Sequence, residues 1–276
     1  MFRDVDERSG VFMARETRRQ GGPRVAEGNV NHDTLVVIPA HNEAATVVQV
    51  ARRARQACPF ADVIVVNDGS QDETGELCHC AGIPVIDLPV NLGLAGAFRT
   101  GMQYAMRHGY RFAVQLDADG QHDPTAVEPM RERALSGVNI VLGSRFLDNA
   151  MPLTLRTIGS RLLRVAMRAV TGRWVTDPTC GMRLYDAGII REFAMRSYFT
   201  PEPDTIAHLM RRGAVTAEVP VPLIERTRGE SYLGMRRAVL YMASVLLSLL
   251  VFPRESAVRD VTQAGYGALE RTGERR

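Results

Sequence analysis

Two aspartates at the end of an apolar segment carry the clearest chemical signal in this sequence. Phe112–Leu116 is typical of a short buried strand, and Asp117 and Asp119 follow it before a glycine turn. Side chains alternate along an extended backbone, so both carboxylates lie on the same side. Holding two like charges this close in a partly buried place is unfavourable without a cation. The pair therefore predicts a site for Mg²⁺ or Mn²⁺, which prefer oxygen ligands and keep positions open for phosphate oxygens.

The alternative for the same residues is a strand end with two solvated acids, because so short a motif is only a hypothesis by itself. The composition limits the other chemistry. All 34 basic residues are arginine, so a P-loop lysine, a kinase-type lysine and a Schiff-base lysine are excluded. The net charge of +3 is too small to indicate a nucleic-acid partner. The four cysteines have no metal-site spacing beyond the weak Cys78-His79-Cys80, and they are expected to be reduced thiols in a cytoplasmic protein.

The chain divides into four expected parts. Residues 1–33 are arginine-rich and polar, without the apolar stretch of a secretory signal, and predict a disordered arm. Residues 34–235 form the expected domain, and 254–276 a polar tail. Between them, 236–253 contains the apolar run Ala238–Phe252, shorter than the ~20 residues that span a bilayer. This run is compatible with a core helix, a membrane-surface helix, or a docking face for a small membrane protein.

Strands and helices alternate through the first half of the domain. The predicted elements are strands at 35–38, 62–66, 83–88 and 112–116, and helices at 42–56, from 72, and at 95–108, with Pro39 ending the first strand. Further on we predict strands at 139–142 and 216–219 and helices at 155–171 and 206–212. This order indicates an α/β fold with a mostly parallel sheet, in which ligands bind at the carboxyl ends of the strands. His41, Glu43, Asp68 and Asp117 all follow strand ends and should meet in one crevice.

Seven motifs, in this order and spacing, resemble family-2 glycosyltransferases of the GT-A (Rossmann-like) fold, which has a mixed, mostly parallel sheet flanked by helices. The resemblance is strongest to the dolichyl- or polyprenyl-phosphate mannose and glucose synthases. The motifs are Val37–Glu43, Val66–Asp72, Asn91–Gly93, Asp117–Pro124, Gly143–Arg145, Asp177–Arg183 and Arg226–Ser231. The resemblance implies an inverting, metal-dependent transfer of a sugar from a GDP- or UDP-sugar to a lipid phosphate.

The resemblance also implies the role of each site residue. Donor-nucleotide positions are Pro39, His41, Glu43, Val66, Asp68 and Asp117, although Asp68 is also suited to capping the helix that follows. Positions matching the Mg²⁺ or Mn²⁺ and diphosphate site are Asp117, Asp119 and Gln121. Positions matching the acceptor-phosphate grip are Arg145, Arg156, Ser160 and Arg226, and arginine forks suit phosphate oxygens well.

The acceptor is the open part of this interpretation. A phosphate is already anionic, whereas a hydroxyl of a polysaccharide or glycolipid needs a carboxylate base, for which Glu202 and Asp204 are candidates. These two acids equally suit the start of a helix after a proline. Arg164 and Tyr232 depart from residues common in the lipid-phosphate branch. A different class, a non-catalytic nucleotide-sugar-binding protein, would lack part of the metal set, which is complete here. We expect a cytoplasmic enzyme at the inner face of the cell membrane.

Overall fold

A seven-stranded mixed sheet forms the centre of the protein in a computed structural model. The structure describes residues 32–148, 155–222 and 244–249, and for 155–158 it describes the backbone alone. The strands are β1 (Thr34–Ala40), β2 (Ala61–Asn67), β3 (Val85–Asp87), β4 (Phe112–Gln115), β5 (Ile140–Ser144), β6 (Arg183–Asp186) and β7 (Thr216–Pro220). Their order is β3-β2-β1-β4-β6-β5-β7. Only β6 runs antiparallel to its neighbours, so the predicted mostly parallel α/β sheet is confirmed.

Seven α-helices, besides a short helical segment at 244–249, lie in the described part of the chain. They are α1 (Val47–Ala57), α2 (Thr74–Cys80), α3 (Gly93–Arg107), α4 (Val127–Leu135), α5 (Leu155–Thr171), α6 (Ala187–Met195) and α7 (Pro203–Arg211). Strand β1 shows how the sheet separates two apolar layers. Leu35 and Val37 pack in one core cluster, and Val36 and Ile38 pack in the other. The sheet is therefore buried on both faces, as parallel sheets require.

Two predictions about the first βα unit were wrong. Pro39 does not end β1, which continues to Ala40. The Val37 carbonyl accepts a hydrogen bond from the side of β4, and Pro39, two residues further on, faces the same side. Because β4 ends opposite Val37, no strand lies beside Pro39 there, and its missing N–H leaves no ladder hydrogen bond unmade. The helix also begins at Val47 instead of Asn42, because Asn42 has a left-handed backbone (φ 56°) that cannot continue a helix.

The second half contains three elements that we did not predict, β6, α4 and α6. Of the apolar C-terminal run, residues 244–249 are described and helical, and Val245 and Leu249 are buried in the core cluster that contains Phe193. One side of the described part of that run therefore packs against the core, whereas Leu247 is 62% exposed. Residues 1–31, 223–243 and 250–276 lie outside the described residues, and with them most of the predicted arm and the whole polar tail. No helix within the described residues is long and apolar enough to cross a bilayer.

Candidate active site

The carboxyl ends of β1, β2 and β4 lie side by side and bring the predicted donor residues together. The His41 ring follows β1, and its Nδ1 lies 2.8 Å from the Asp68 carbonyl oxygen at the end of β2. Because that oxygen can only accept, we assign the proton to Nδ1. Nε2 then accepts from the side-chain amides of Asn91, at 3.0 Å, and Asn42, at 3.1 Å. The His41 ring thus joins three loops of the crevice.

The Asp68 carboxylate supports a neighbouring loop and does not cap the following helix. Its Oδ1 accepts the Leu92 N–H at 2.7 Å, just before α3. The start of α2 is instead served by Asp72, whose Oδ1 accepts the Thr74 N–H at 3.0 Å. Gly69 allows this close approach, because a Cβ there would lie 2.6 Å from the Asn91 nitrogen. The helix-cap alternative for Asp68 is therefore wrong for α2.

The other predicted donor residues have different degrees of access. Glu43 accepts the Thr46 hydroxyl at 3.0 Å, and its own N–H donates to the Thr74 hydroxyl at 2.9 Å. Pro39 and Val66 are buried within β1 and β2, and the Val66 side chain packs in the core. Contact of these two residues with a nucleotide would therefore involve mainly their backbone.

The predicted metal residues form a short turn directly after β4. Oδ1 of Asp119 accepts the Gln121 N–H at 3.0 Å, which closes the turn. Oδ1 of Asp117 accepts the Gln115 amide at 3.3 Å, and its Oδ2 lies 3.5 Å from Nδ1 of the buried His122. Both carboxylates are half-buried. Both residues follow the end of β4, and their joint binding of a cation stays a prediction.

This donor set fits a hard divalent cation. The described residues contain no group of three or more His, Cys, Asp and Glu side chains arranged around a common point. The chain therefore offers a pair of carboxylates, with the Gln121 carbonyl nearby, and not a closed cage. Mg²⁺ is typically bound in this way, through one or two carboxylates with water and substrate phosphates completing the coordination. An all-protein zinc site would need more ligands than this turn supplies.

Arg145 lies after β5 and is held by the buried Asp177. Its Nε donates to Asp177 Oδ2 at 2.6 Å, its Nη2 to Oδ1 at 2.9 Å, and its backbone N–H to Oδ2 at 3.1 Å. Burial would lower the pKa of the Arg145 guanidinium, but the bonds to Asp177 outweigh this effect and raise it, with a further contribution from Asp117. The carboxylate of Glu218 in turn accepts the Asp177 N–H at 3.0 Å. Arg145 is thus a fixed cation close to the turn that contains Asp117, Asp119 and Gln121, here called the metal turn.

The remaining acceptor-phosphate residues are only partly visible. Ser160 lies on α5 with its Oγ buried, and it makes no hydrogen bond within the described residues. Arg156 lies one helical turn earlier on the same helix, which places both residues on one face. Arg226 lies outside the described residues. Arg164, where the related branch has a different residue, stacks on the Trp174 ring at 5.6 Å.

Glu202 and Asp204 lie at the start of α7. Glu202 precedes Pro203, the first residue of that helix, so the helix-start interpretation describes their position correctly. Oδ1 of Asp204 accepts the Thr205 N–H at 2.8 Å, and its Oδ2 accepts the Ser248 hydroxyl from the C-terminal helical segment. Glu202 lies near the buried cation Arg183, since its charge helps to raise the pKa of that guanidinium against the opposing effect of burial.

Arg183 was not predicted as a site residue, although it ends one of the motifs. It is buried and donates to three backbone carbonyls, those of Cys180 at 3.0 Å, Pro178 at 2.9 Å and Pro201 at 2.6 Å. It therefore joins the loop that holds Asp177 to the loop that precedes α7. The sequence signal that could have identified it is its place at the end of a glycine-containing motif, two residues after Gly181.

Comparisons with known proteins agree with this arrangement. A sequence model of glycosyl transferase family 2 matches residues 35–193. A polyprenol monophosphomannose synthase of Mycolicibacterium smegmatis is 27% identical over 228 residues, covering 78% of this chain and 86% of the relative. An undecaprenyl-phosphate mannosyltransferase of Micrococcus luteus is 30% identical over 209 residues, covering 71% and 86%.

A solved structure shares the fold. Glucosyl-3-phosphoglycerate synthase from Mycobacterium tuberculosis, in complex with Mn²⁺, UDP-glucose and phosphoglyceric acid, superposes with a TM-score of 0.60 at 19% identity. The match covers 79% of this chain and 78% of that one. The family match spans more than half of the chain, and the sheet carries the family's motifs at the carboxyl ends of its strands. The chain is a glycosyltransferase that belongs to family 2.

Proposed function

We propose that this glycosyltransferase transfers a sugar from a nucleotide sugar to a polyprenyl phosphate, with inversion at the anomeric carbon. The observation that carries the proposal is that one crevice contains both a pair of carboxylates and a fixed cation. The carboxylates of Asp117 and Asp119 suit a cation with a diphosphate, and the fixed cation Arg145 suits a second phosphate close by. The names of the two relatives from Mycolicibacterium smegmatis and Micrococcus luteus support the same acceptor class.

The donor side uses the ends of β1, β2 and β4. His41, Asp68 and the loop at Asn91 would hold the nucleotide of a GDP- or UDP-sugar. Asp117 and Asp119, with Gln121, would hold Mg²⁺ or Mn²⁺. When bound, such an ion offsets the negative charge that develops on the leaving nucleoside diphosphate.

The acceptor side explains why no protein base is needed. A phosphate oxygen is already a nucleophile, so the enzyme has only to position it for direct displacement. Two guanidinium nitrogens of Arg145 bond to Asp177, and Nη1, which makes no hydrogen bond within the described residues, could meet a phosphate oxygen. The Ser160 hydroxyl, which has no partner among the same residues, is a second candidate contact. Asp204, one of the two candidate bases, already accepts hydrogen bonds from Thr205 and Ser248. This favours a phosphate acceptor over a hydroxyl acceptor.

The outer face of α5 supports a location at the membrane surface. Leu162 and Val165 on α5 are exposed by 56% and 58%, and Trp174, three residues beyond the end of the helix, is exposed by 50%. The helix contains arginines but no acidic residue; Arg161 and Arg168 are exposed, and Arg168 stacks on the Trp174 ring. Basic helices with an exposed apolar face and a tryptophan bind anionic lipid surfaces. We propose that this face rests on the inner leaflet; a small membrane protein is the alternative occupant.

The acceptor is tested with the variants Arg226→Ala and Asp204→Asn, assayed with polyprenyl phosphate and a labelled nucleotide sugar. A phosphate acceptor makes the arginine variant severe and the aspartate variant mild, because no proton has to be removed. Arg191→Ala on the exposed surface of α6 serves as the charge-matched control. A loss of about 10²–10⁴-fold in Asp204→Asn or Glu202→Gln, with Arg226→Ala mild, would instead assign a hydroxyl acceptor.

The membrane location is tested by sedimentation with vesicles that contain anionic lipid. The double variant Leu162→Glu/Val165→Glu should bind these vesicles far less than the wild type. Met195→Glu is the matched control, because Met195 is equally apolar and exposed but lies on α6. Equal binding of all three proteins would exclude the α5 face, and wild-type binding only in the presence of a membrane protein would favour the alternative occupant.

A further inference from the structure

We propose that His122 is a positioning residue that holds the Asp117 carboxylate in its ligand orientation by donating from Nδ1, while Cys180 fixes the other ring nitrogen. The inference depends on the proposed function in one respect, namely that Asp117 binds a divalent cation. His122 itself touches neither donor nor acceptor in this arrangement.

The contacts of His122 define a chain of three side chains. Its ring is buried, with Nδ1 3.5 Å from Asp117 Oδ2 and Nε2 3.7 Å from Cys180 Sγ. Nδ1 makes no hydrogen bond within the described residues, and the 3.5 Å contact with Asp117 is an ion-pair distance. A buried polar nitrogen without a partner is unfavourable, and the Asp117 oxygen is the acceptor within reach of a small side-chain rotation.

The direction of the chain follows from chemistry. The buried Cys180 is a thiol and can donate its proton to Nε2 of His122. The ring then carries its own proton on Nδ1, which points to the Asp117 carboxylate. The other oxygen, Oδ1, accepts the Gln115 amide at 3.3 Å and has a second lone pair with which it can bind a cation. Ligand carboxylates that are fixed by an outer N–H donor hold metals more tightly, and removal of such a partner typically lowers affinity by about 10–100-fold.

Gly181 restricts Asp117 from a second side. A Cβ at this position would lie 2.3 Å from Asp117 Oδ2, so the backbone of the loop is in direct contact with the carboxylate. The same loop holds Asp177, the partner of Arg145. One loop therefore positions both the metal turn and the phosphate-binding arginine. This loop contacts the turn through Cys180, which lies next to His122.

The test measures Mn²⁺ affinity by electron paramagnetic resonance of the free ion, with and without a nucleoside diphosphate, and needs no turnover. His122→Phe should raise the Kd for Mn²⁺ by about 10–100-fold. His122→Asn should stay within about threefold of the wild type, because its amide nitrogen can replace Nδ1, and His122→Gln should resemble the phenylalanine variant, because its amide lies nearer Nε2.

Cys180→Ser and Cys180→Ala provide a second comparison with a much smaller change of volume. The serine variant keeps a donor to Nε2 and should retain the wild-type affinity, whereas the alanine variant should weaken it. Melting temperatures are recorded for all variants. The inference is overturned if the phenylalanine and alanine variants bind Mn²⁺ as the wild type does, or if affinity falls in step with melting temperature across both series. A wild type that binds no Mn²⁺ would overturn it together with the proposed metal dependence.

Discussion

Two nitrogens of Arg145 meet the two carboxylate oxygens of Asp177, at 2.6 Å for Nε–Oδ2 and 2.9 Å for Nη2–Oδ1. The Asp177 side chain is completely buried, and the Thr179 hydroxyl donates to Oδ1 at 3.0 Å. Removing one member of such a pair leaves an uncompensated buried charge and lowers the free energy of unfolding by about 3–5 kcal/mol. The arginine predicted to bind a phosphate is thus part of the structural framework of its own loop.

Arg145→Lys separates charge from geometry at this position. Lysine keeps the positive charge but cannot contact both oxygens of Asp177 in one plane. We expect the KM for polyprenyl phosphate to rise by about 10–100-fold, equivalent to the roughly 1.5–3 kcal/mol of one charged hydrogen bond, with the KM for the nucleotide sugar nearly unchanged. Steady-state kinetics with each substrate varied in turn measures this. Arg191→Lys is the control, and an unchanged acceptor KM in Arg145→Lys would contradict the phosphate role.

Asp119→Asn should weaken metal-dependent binding of the nucleoside diphosphate by about 1–3 kcal/mol, because one charged ligand contact is lost. Calorimetry with and without Mn²⁺ measures this change. Asp123→Asn, two residues beyond Gln121, is the matched control, since Asp123 instead accepts the Thr125 N–H at 3.0 Å. Binding and activity that persist in EDTA would exclude a metal at this turn.

Asp68→Ala should lower affinity for the nucleotide sugar with only a small effect on folding. The variant removes the acceptor for the Leu92 N–H, so the loop at Asn91 loses its fixed position beside His41. Thermal unfolding and donor titration are measured together. Asp72→Ala is the contrasting variant, because Asp72 supports the start of α2 and its loss should mainly lower the melting temperature. If Asp68→Ala behaves as Asp72→Ala does, Asp68 has only a structural role.

The four cysteines should differ strongly in their reaction with an alkylating reagent at pH 8. Cys80 is exposed, whereas Cys58, Cys78 and Cys180 are buried. Burial raises the pKa of Cys180 to about 11 and that of Cys58 to about 12, and it also raises the pKa of Cys78. A raised thiol pKa means less thiolate, which is the reactive form. Mass spectrometry should find rapid modification at Cys80 alone, and all four sites should react in denaturant. Rapid modification of Cys180 in the folded protein would show that its loop opens.

The residues next to each strand in sequence could be placed from the sequence, and the pairings between distant loops could not. Asp117 and Asp119 follow an apolar strand, and their position at the sheet edge follows from the alternation of strands and helices. In contrast, Arg145 and Asp177 are 32 residues apart, and the pairing of His122 with Cys180 spans 58 residues. No local pattern reports such contacts, because they depend on how two loops pack.

The missed elements have specific local causes. β6 comprises Arg183–Asp186, which begins and ends with charged residues and has no apolar run, and it is a strand because it pairs with β4 and β5. α4 contains Pro129, which normally indicates a break. The proline lies in the first turn, where no N–H is needed within the helix, so the helix tolerates it.

The position of β6 has a consequence for how the chain acquires its structure. In the part of the chain that the structure describes, strands β5 and β7 are connected to the other strands of the sheet only through this four-residue strand. During synthesis, β4 and β5 are complete long before residues 183–186 emerge, and each then has an unpaired edge. Such edges are templates for pairing with other chains, and pairing across a long sequence separation is slow. A chain that stops before Arg183 should therefore aggregate, whereas one that reaches Asp186 can close the gap in its own sheet.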